Sequence, residues 1–178
     1  MIGVSRLLDP PARAAVALLL RGDRRATNPA TTALVLINPV ASLTEIDSSA
    51  ASELRRAAGA ARSAGSTVVI ADTASAAGGT ADALPVSDAE HVATTSLSAF
   101  RGTSLHESLT ARGIDRLLIA GFPTNLDVDS TARHAVELGY HVTVLADACA
   151  AHDRSAHATA ITVTLPRIVH AIASGHND

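Results

Sequence analysis

A strand, a turn, a helix and a second strand follow one another across residues 116–151, and this pattern constrains the fold more than any other feature. An apolar run ends in the turn GFPTNLD at residues 121–127, a segment with helical periodicity follows, and a second apolar run begins at Val142. The pattern predicts a parallel βαβ unit. Ligands bind at turns that leave the carboxyl ends of parallel strands. We therefore expect the functional site near Asp127.

Strands and helices alternate through the rest of the chain. Apolar runs predict strands at residues 32–38, 67–71, 91–95, 117–120, 142–146 and 168–173. Capping residues and helical periodicity predict helices at residues 48–64, 104–112, 124–139 and 155–164. Residues 72–89 have no periodicity, so we expect an excursion on the ligand side of the sheet. The alternation predicts an α/β fold with a parallel, doubly wound sheet.

The composition fits one globular domain. Of the 178 residues, 47% are hydrophobic and 17% are charged, which suffices to bury a core without disulfides or a structural metal. The net charge of −3 provides no basic surface, so we expect no nucleic-acid partner. The single cysteine, Cys149, cannot form an intrachain disulfide and fits a reducing cytoplasm. We expect a cytoplasmic protein.

The first 31 residues predict an N-terminal helix at about residues 10–20 and a polar linker, followed by the α/β domain at residues 32–178. The apolar run at residues 14–20 is too short to cross a bilayer and lacks a signal-peptide cleavage site. We therefore expect a packing helix and no membrane partner.

Two residue types are scarce in ways that limit the chemistry. All 14 basic side chains of the Lys and Arg class are arginine, so no lysine can act as a base or form a Schiff base. The only aromatic residues are Phe100, Phe122 and Tyr140, so we expect no aromatic cage around a ligand.

Four segments together resemble the isochorismatase-like hydrolase superfamily, which holds isochorismatases, nicotinamidases and N-carbamoyl amidases. They are SAFRGTSLHESL from Ser98, GIDRLLIAGFPTN from Gly113, STARHAVELGYHVTVLADACA from Ser130, and His157 near the start of the last helix. The resemblance covers residues 32–164. It implies a three-layer α/β/α sandwich with a six-stranded, mainly parallel sheet, a pocket at the carboxyl ends of the strands, and a homo-oligomer.

The resemblance also implies three catalytic positions, and this chain differs at each of them. Amidases of the superfamily use a cysteine at the start of the helix after the fourth strand, an aspartate that ends the first strand, and a lysine after the third strand. The matching residues here are Asp127, Asn38 and Thr94. A carboxylate attacks carbonyls less readily than a thiolate, Asn38 cannot transfer a proton, and Thr94 carries no charge. We therefore expect cysteine-amidase chemistry to be lost.

A fourth difference concerns the oxyanion. In amidases of the superfamily, the backbone N–H four residues before the cysteine follows a cis peptide bond and stabilises the oxyanion. Pro123 occupies that position here and has no N–H. Losing one such donor lowers acyl-transfer rates about 10²–10³-fold. A cis bond before proline costs only about 0.5–1 kcal/mol, so we expect the Phe122–Pro123 bond to be cis.

Asp127 has two interpretations. In the first, Thr124 caps a helix and Asp127 completes a capping box, where it also complements the helix dipole. In the second, Asp127 is catalytic or binds ligand, and a helix N-terminus favours its ionised form, which suits a base or an acceptor. Isochorismatases themselves lack the cysteine and use an acid at the position of Asn38, so their mechanism does not transfer intact.

The remaining candidates have equally plain alternatives. Asn38 either orients a substrate or ends a strand in a turn, and Thr94 either positions a polar group or simply lines the pocket. The substrate-binding candidates implied by the resemblance are Phe100, Phe122, Pro123, Thr124 and Asn125. Of these, Phe100 also fits a core position, and Asn125 also fits a helix start.

A metal site is disfavoured by the sequence. His152 and His157 are five residues apart, which does not place both on one helical face. Asp72 is not followed by the Asp-x-His pattern of metal-binding nicotinamidases. We expect no metal and no cofactor. We also expect His134 to be exposed or at an interface, and Cys149 to be a packing residue.

Two functions from different classes fit these observations. The first is an enzyme of a biosynthetic side pathway that converts a small, uncharged or weakly polar metabolite by hydrolysis, elimination, isomerisation or cyclisation. In this enzyme, Asp127 acts as a general acid or base without forming a covalent bond to the substrate. Asn38 and Thr94 position polar groups. The second is an oligomeric pseudoenzyme that binds or scaffolds. We favour the first, because burying three polar side chains without partners costs free energy.

Overall fold

The computed structural model describes residues 28–39, 46–74, 84, 87–169 and 171–173. The predicted N-terminal helix and most of the predicted excursion at residues 72–89 lie outside the described residues. In the described part of the chain, no helix has both the length and the apolarity that crossing a bilayer requires.

Six parallel strands form one sheet, in the order β3-β2-β1-β4-β5-β6. The strands are β1 Thr32–Ile37, β2 Thr67–Asp72, β3 Glu90–Ala93, β4 Arg116–Gly121, β5 His141–Cys149 and β6 Ala171–Ala173. Each residue of the central β1 is buried, as expected for a strand with both faces covered. The parallel, doubly wound sheet is confirmed.

Helices flank the sheet where the sequence places apolar and capping residues. They are α1 Ser48–Ala64, α2 Leu105–Ala111, α3 Asp129–Glu137 and α4 Arg154–Thr159. The Asp47 carboxylate caps α1 by accepting hydrogen bonds from the N–H groups of Ser49 and Ala50, both at 3.0 Å. Gly65 ends α1 in the left-handed conformation. Both ends of α1 are therefore as predicted.

Four predicted elements need correction. The helix predicted at residues 124–139 is a π-helical turn, Thr124–Val128, followed by α3. The last helix was predicted at residues 155–164, but α4 ends at Thr159. The chain then forms a π-helical turn at Ala160–Thr164 and a 3₁₀ turn at Leu165–Arg167. These turns delay β6, which begins at residue 171 and not at residue 168. The third strand ends at Ala93, so Thr94 follows it.

The carboxyl ends of β1 and β4 approach closely, and this contact brings Phe122 beside Asn38. Gly121 has a φ of 133°, and a Cβ atom there would lie 2.0 Å from the carbonyl oxygen of Ile37. The next residue, Phe122, donates its N–H to that same oxygen at 3.0 Å. Only glycine permits this approach. The Phe122–Pro123 bond is cis, as predicted.

Candidate active site

Asn38 follows β1 and ties three segments of chain together. Its side chain is fully buried, and its backbone has a φ of 43°, a region that asparagine tolerates better than most residues. Its Nδ2 donates to the Phe122 carbonyl at 2.9 Å and to the Thr73 hydroxyl oxygen at 2.8 Å. Its Oδ1 accepts from the Thr73 N–H at 2.8 Å. Both amide hydrogens are used, which leaves Asn38 no donor for a ligand.

Thr73, which the sequence analysis did not single out, joins Asn38 to Asp127. The Thr73 hydroxyl donates to Oδ1 of Asp127. It also lies 3.1 Å from Oδ1 of Asn38, but a hydroxyl has one proton, and the contact with Asp127 is the shorter. Asp127 is fully buried in the π-helical turn. Asn38, Thr73 and Asp127 therefore form one buried hydrogen-bonded chain.

An open cleft of about 810 Å³ lies at the carboxyl ends of β2 and β3. Its volume is in the range of small-molecule sites. The described residues that line it are Asp72, Thr73, Ala93, Thr94, Thr95, Ser96, Arg101 and Gly102. Thr73 belongs both to this lining and to the buried chain, whereas Asn38 and Asp127 do not line the cleft. Thr73 therefore lies between the cleft and Asp127.

Thr94 lines the cleft, but its polar atoms already have partners. Its N–H donates to the Asp72 carbonyl at 2.9 Å, and its hydroxyl donates to the Arg101 carbonyl at 2.8 Å. Its hydroxyl oxygen accepts the N–H of Ser96 at 3.1 Å. Thr94 therefore holds two walls of the cleft in place.

The Thr124 hydroxyl does not cap a helix, which corrects the predicted capping box. It donates to the Ala150 carbonyl at 2.8 Å and lies 2.9 Å from Nδ1 of His157. The Thr124 N–H donates to the same carbonyl at 2.8 Å. Burial lowers the pKa of His157, while the nearby Asp47 and Asp147 act in the opposite direction. The turn is thus fixed to the loop after β5.

The two phenylalanine candidates have different neighbours. Phe122 meets His152 edge to face, with ring centroids 4.8 Å apart. Phe100 is 5% exposed and stacks on Tyr140 at 5.8 Å, which favours its core interpretation over a pocket wall. His134 is half-buried against Phe100 and bonds the Ser98 hydroxyl at 2.9 Å, so it is not fully exposed, and its place at an interface stays a prediction.

Two other candidates lie apart from the buried chain. Asn125 is exposed on the turn. Cys149 is buried, and burial raises the pKa of its thiol to about 12, so it is protonated at neutral pH. Within the described ranges, no three histidine, cysteine, aspartate or glutamate side chains converge as a metal site would require.

The sequence matches a family model over most of its length. The isochorismatase domain model matches residues 32–174. YecD of Escherichia coli O157:H7, an uncharacterized isochorismatase family protein, is 44% identical over 70 residues. Those residues are 39% of this chain and 37% of that protein, so the match spans little more than a third of the relative's length.

Solved structures share the fold. An isochorismatase family protein from Burkholderia thailandensis has a TM-score of 0.72 at 25% identity, covering 81% of this chain and 92% of that one. A nicotinamidase from Staphylococcus aureus has a TM-score of 0.68 at 18% identity, covering 81% and 99%. The YcaC protein of Escherichia coli, described as an octameric hydrolase of unknown specificity, has a TM-score of 0.70 at 18% identity, covering 82% and 76%.

The family match and the fold agree. The six-stranded parallel sheet, the cis turn after β4 and the cleft at the carboxyl ends of the strands all lie within the matched residues. Solved neighbours with this fold include the Escherichia coli protein described as a hydrolase and the Staphylococcus aureus nicotinamidase. This chain belongs to the isochorismatase family and has the family's hydrolase fold.

Proposed function

We propose that this chain binds a small polar metabolite in the cleft and converts it by non-covalent acid/base chemistry centred on Asp127. The reaction is a hydrolysis, elimination, isomerisation or cyclisation in a biosynthetic pathway. The observation that carries the proposal is Thr73, which lines the cleft and whose hydroxyl donates to the buried Asp127 carboxylate. Thr73 therefore joins the lining of the cleft to a proton acceptor.

The proton path has two steps that occur together. A ligand in the cleft gives a proton to the Thr73 oxygen as Thr73 gives its own proton to Asp127. The reverse transfer returns a proton to the product side. Asn38 supports the path, because its Nδ2 donates to the Thr73 oxygen and leaves the hydroxyl proton directed at Asp127. General acid/base catalysis of this kind contributes about 10²–10⁴-fold in rate.

Covalent amide hydrolysis is not part of the proposal. Asp127 stands where the resemblance implies a nucleophilic cysteine, and the cysteine that the chain does have is buried with a raised pKa. Pro123 has no N–H with which to stabilise an oxyanion.

A second function, an oligomeric scaffold or binding subunit, is favoured by the burial and internal hydrogen bonding of the candidate catalytic residues. Asn38 has both amide hydrogens bonded within the protein, and Asp127 is fully buried, as in a site that has become structural. The octameric description of the Escherichia coli YcaC protein makes a homo-oligomer a reasonable expectation for either function.

Metabolite profiling separates the two functions. The purified chain is incubated with a bacterial metabolite extract, and consumed and formed compounds are followed by mass spectrometry. The enzyme hypothesis predicts that the wild-type chain consumes at least one metabolite and that Asp127→Asn slows this consumption about 10²-fold or more. Equal consumption by both proteins contradicts a role for Asp127, and no consumption by the wild type supports the scaffold.

An Asp129→Asn variant is the matched control. Asp129 is two residues after Asp127, begins α3, and pairs with Arg133 of the same helix at 2.6 Å. We expect this variant to consume the metabolite at the wild-type rate.

A further inference from the structure

The cleft presents one negative and one positive side chain. Among the described residues that line it, Asp72 and Arg101 are the charged ones, and the others are threonine, serine, alanine and glycine. Asp72 ends β2, and Arg101 lies in the segment between β3 and α2. The two charges thus come from different segments of chain that meet at the cleft.

Thr94 sets the relative position of these two residues. Its N–H is bonded to the Asp72 carbonyl and its hydroxyl to the Arg101 carbonyl, at 2.9 and 2.8 Å. One residue therefore fixes the backbone from which each charged side chain extends. Such support preorganises a binding site, because less ordering is needed when the ligand arrives.

The two charges do not neutralise each other. Ion pairs within 4.0 Å occur elsewhere among the described residues, for example between Arg112 and Glu90, but neither Asp72 nor Arg101 takes part in one within that part of the chain. Opposite charges that share a cleft without pairing complement a ligand of the opposite polarity at each end.

We propose that the cleft takes a dipolar ligand, a small molecule that carries both a carboxylate and an amino group. Arg101 binds the carboxylate through its planar guanidinium, and Asp72 binds the ammonium. This inference rests on the proposed function and names its substrate class. A zwitterion carries two full charges, so this ligand class differs from the uncharged or weakly polar metabolite that the sequence led us to expect. The hydroxyl groups of Thr73, Thr95 and Ser96 supply further hydrogen bonds.

Asp72 distinguishes this ligand from a simple anion. A carboxylate or phosphate without a positive group would gain the attraction of Arg101 but meet the repulsion of Asp72 in the same cleft. A cation without a negative group would be attracted by Asp72 and repelled by Arg101. Only a ligand with both charges gains at both ends.

Binding of defined probes tests the proposal without knowledge of the reaction. The full chain is titrated with the ω-amino acids from glycine to 6-aminohexanoate, with acetate, methylammonium and inorganic phosphate as single-charge probes, and binding is followed by ligand-observed NMR at an ionic strength of about 0.01 M. We expect one chain length in the series to bind about tenfold more tightly than any single-charge probe. That length measures the separation of the two charged side chains.

Matched variants assign each end of the ligand. Asp72→Asn and Arg101→Gln should each reduce the affinity of the preferred ω-amino acid to that of a single-charge probe. The controls are Asp88→Asn and Arg112→Gln, whose side chains pair with Arg62 and Glu90 outside the cleft. These controls should bind the preferred probe as the wild type does.

Three results overturn the proposal. They are equal binding of acetate or phosphate and the amino acids, an affinity that Asp72→Asn leaves unchanged, and no binding by any member of the series. The proposed function fails in a different way, namely when Asp127→Asn leaves metabolite consumption unchanged. Asp127→Asn should still bind the ω-amino acid, because Asp127 does not line the cleft.

Discussion

Asn38 illustrates how one buried residue can be polar without being catalytic. Its side chain donates to the ends of two other segments, at Phe122 and Thr73, and accepts from a third atom, the Thr73 N–H. Each of these bonds satisfies a group that would otherwise be buried without a partner, which costs about 1–3 kcal/mol per group. The amide is suited to this role because it both donates and accepts.

Restoring an aspartate at this position should therefore harm the protein. In Asn38→Asp, the Phe122 carbonyl and the Thr73 oxygen lose their donor, and a second carboxylate enters the buried chain that contains Asp127. We expect a loss of about 3–5 kcal/mol in the free energy of unfolding, measured by urea denaturation. The same exchange at the exposed Asn28 should change it by less than about 0.5 kcal/mol. Equal effects of the two exchanges would contradict the role given to Asn38.

Gly121 gives a second prediction at this scale. In Gly121→Ala, the new methyl group would lie 2.0 Å from the Ile37 carbonyl oxygen. The ends of β1 and β4 would have to separate, so we expect a loss of at least about 3 kcal/mol by thermal or urea unfolding. The control is Gly65→Ala, which also has a positive φ but has nothing within 4 Å, and should cost about 1–2 kcal/mol. A Gly121 variant as stable as the control would show that the close approach is not required.

Single elements were predictable where their signals are local. The Asp47 cap and the terminal Gly65 of α1 act within a few residues of themselves, and the structure has both. Thr124 has an equally good local capping pattern, but its hydroxyl bonds Ala150, 26 residues away, and His157. A local sequence pattern cannot show that Ala150 and His157 take the Thr124 hydroxyl away from the helix start. Thr73 was missed for a similar reason, because only the register of β1 and β2 places it beside Asn38.

The contact between the cis turn and the segment after β5 should respond to pH. A histidine whose pKa is lowered on folding binds fewer protons in the folded than in the unfolded chain, so stability rises with pH across that range. For His157, this contribution is complete above the ordinary pKa of about 6.5 and is lost as the pH falls through the lowered value. When the pH falls from about 7.5 to about 5, we expect the free energy of unfolding of the wild-type chain to decrease more than that of His157→Gln. Parallel stability profiles of the two proteins would contradict this expectation.

At the scale of the whole molecule, the order of strands and helices followed from hydrophobic periodicity and from the glycines that end helices. The same argument predicted a site near Asp127 at the carboxyl edge of the sheet. The cleft lies at that edge, but at the ends of β2 and β3, and Asp127 is not among the described residues that line it. The sequence did not separate the roles of the polar residues there. Asn38, Thr94 and Asp127 all end or follow strands, but their contacts differ because each meets a different neighbour in the folded sheet.

The Thr73 hydroxyl offers the most direct test of the central claim, which is that a ligand in the cleft exchanges protons with Asp127 through that hydroxyl. The measurement is the turnover number of Thr73→Ser and Thr73→Val with a metabolite that the wild-type chain consumes. Serine keeps the hydroxyl and valine keeps the shape without it. The account predicts that Thr73→Ser stays within about tenfold of the wild type and that Thr73→Val loses about 10²–10⁴-fold. Wild-type turnover by Thr73→Val would contradict it.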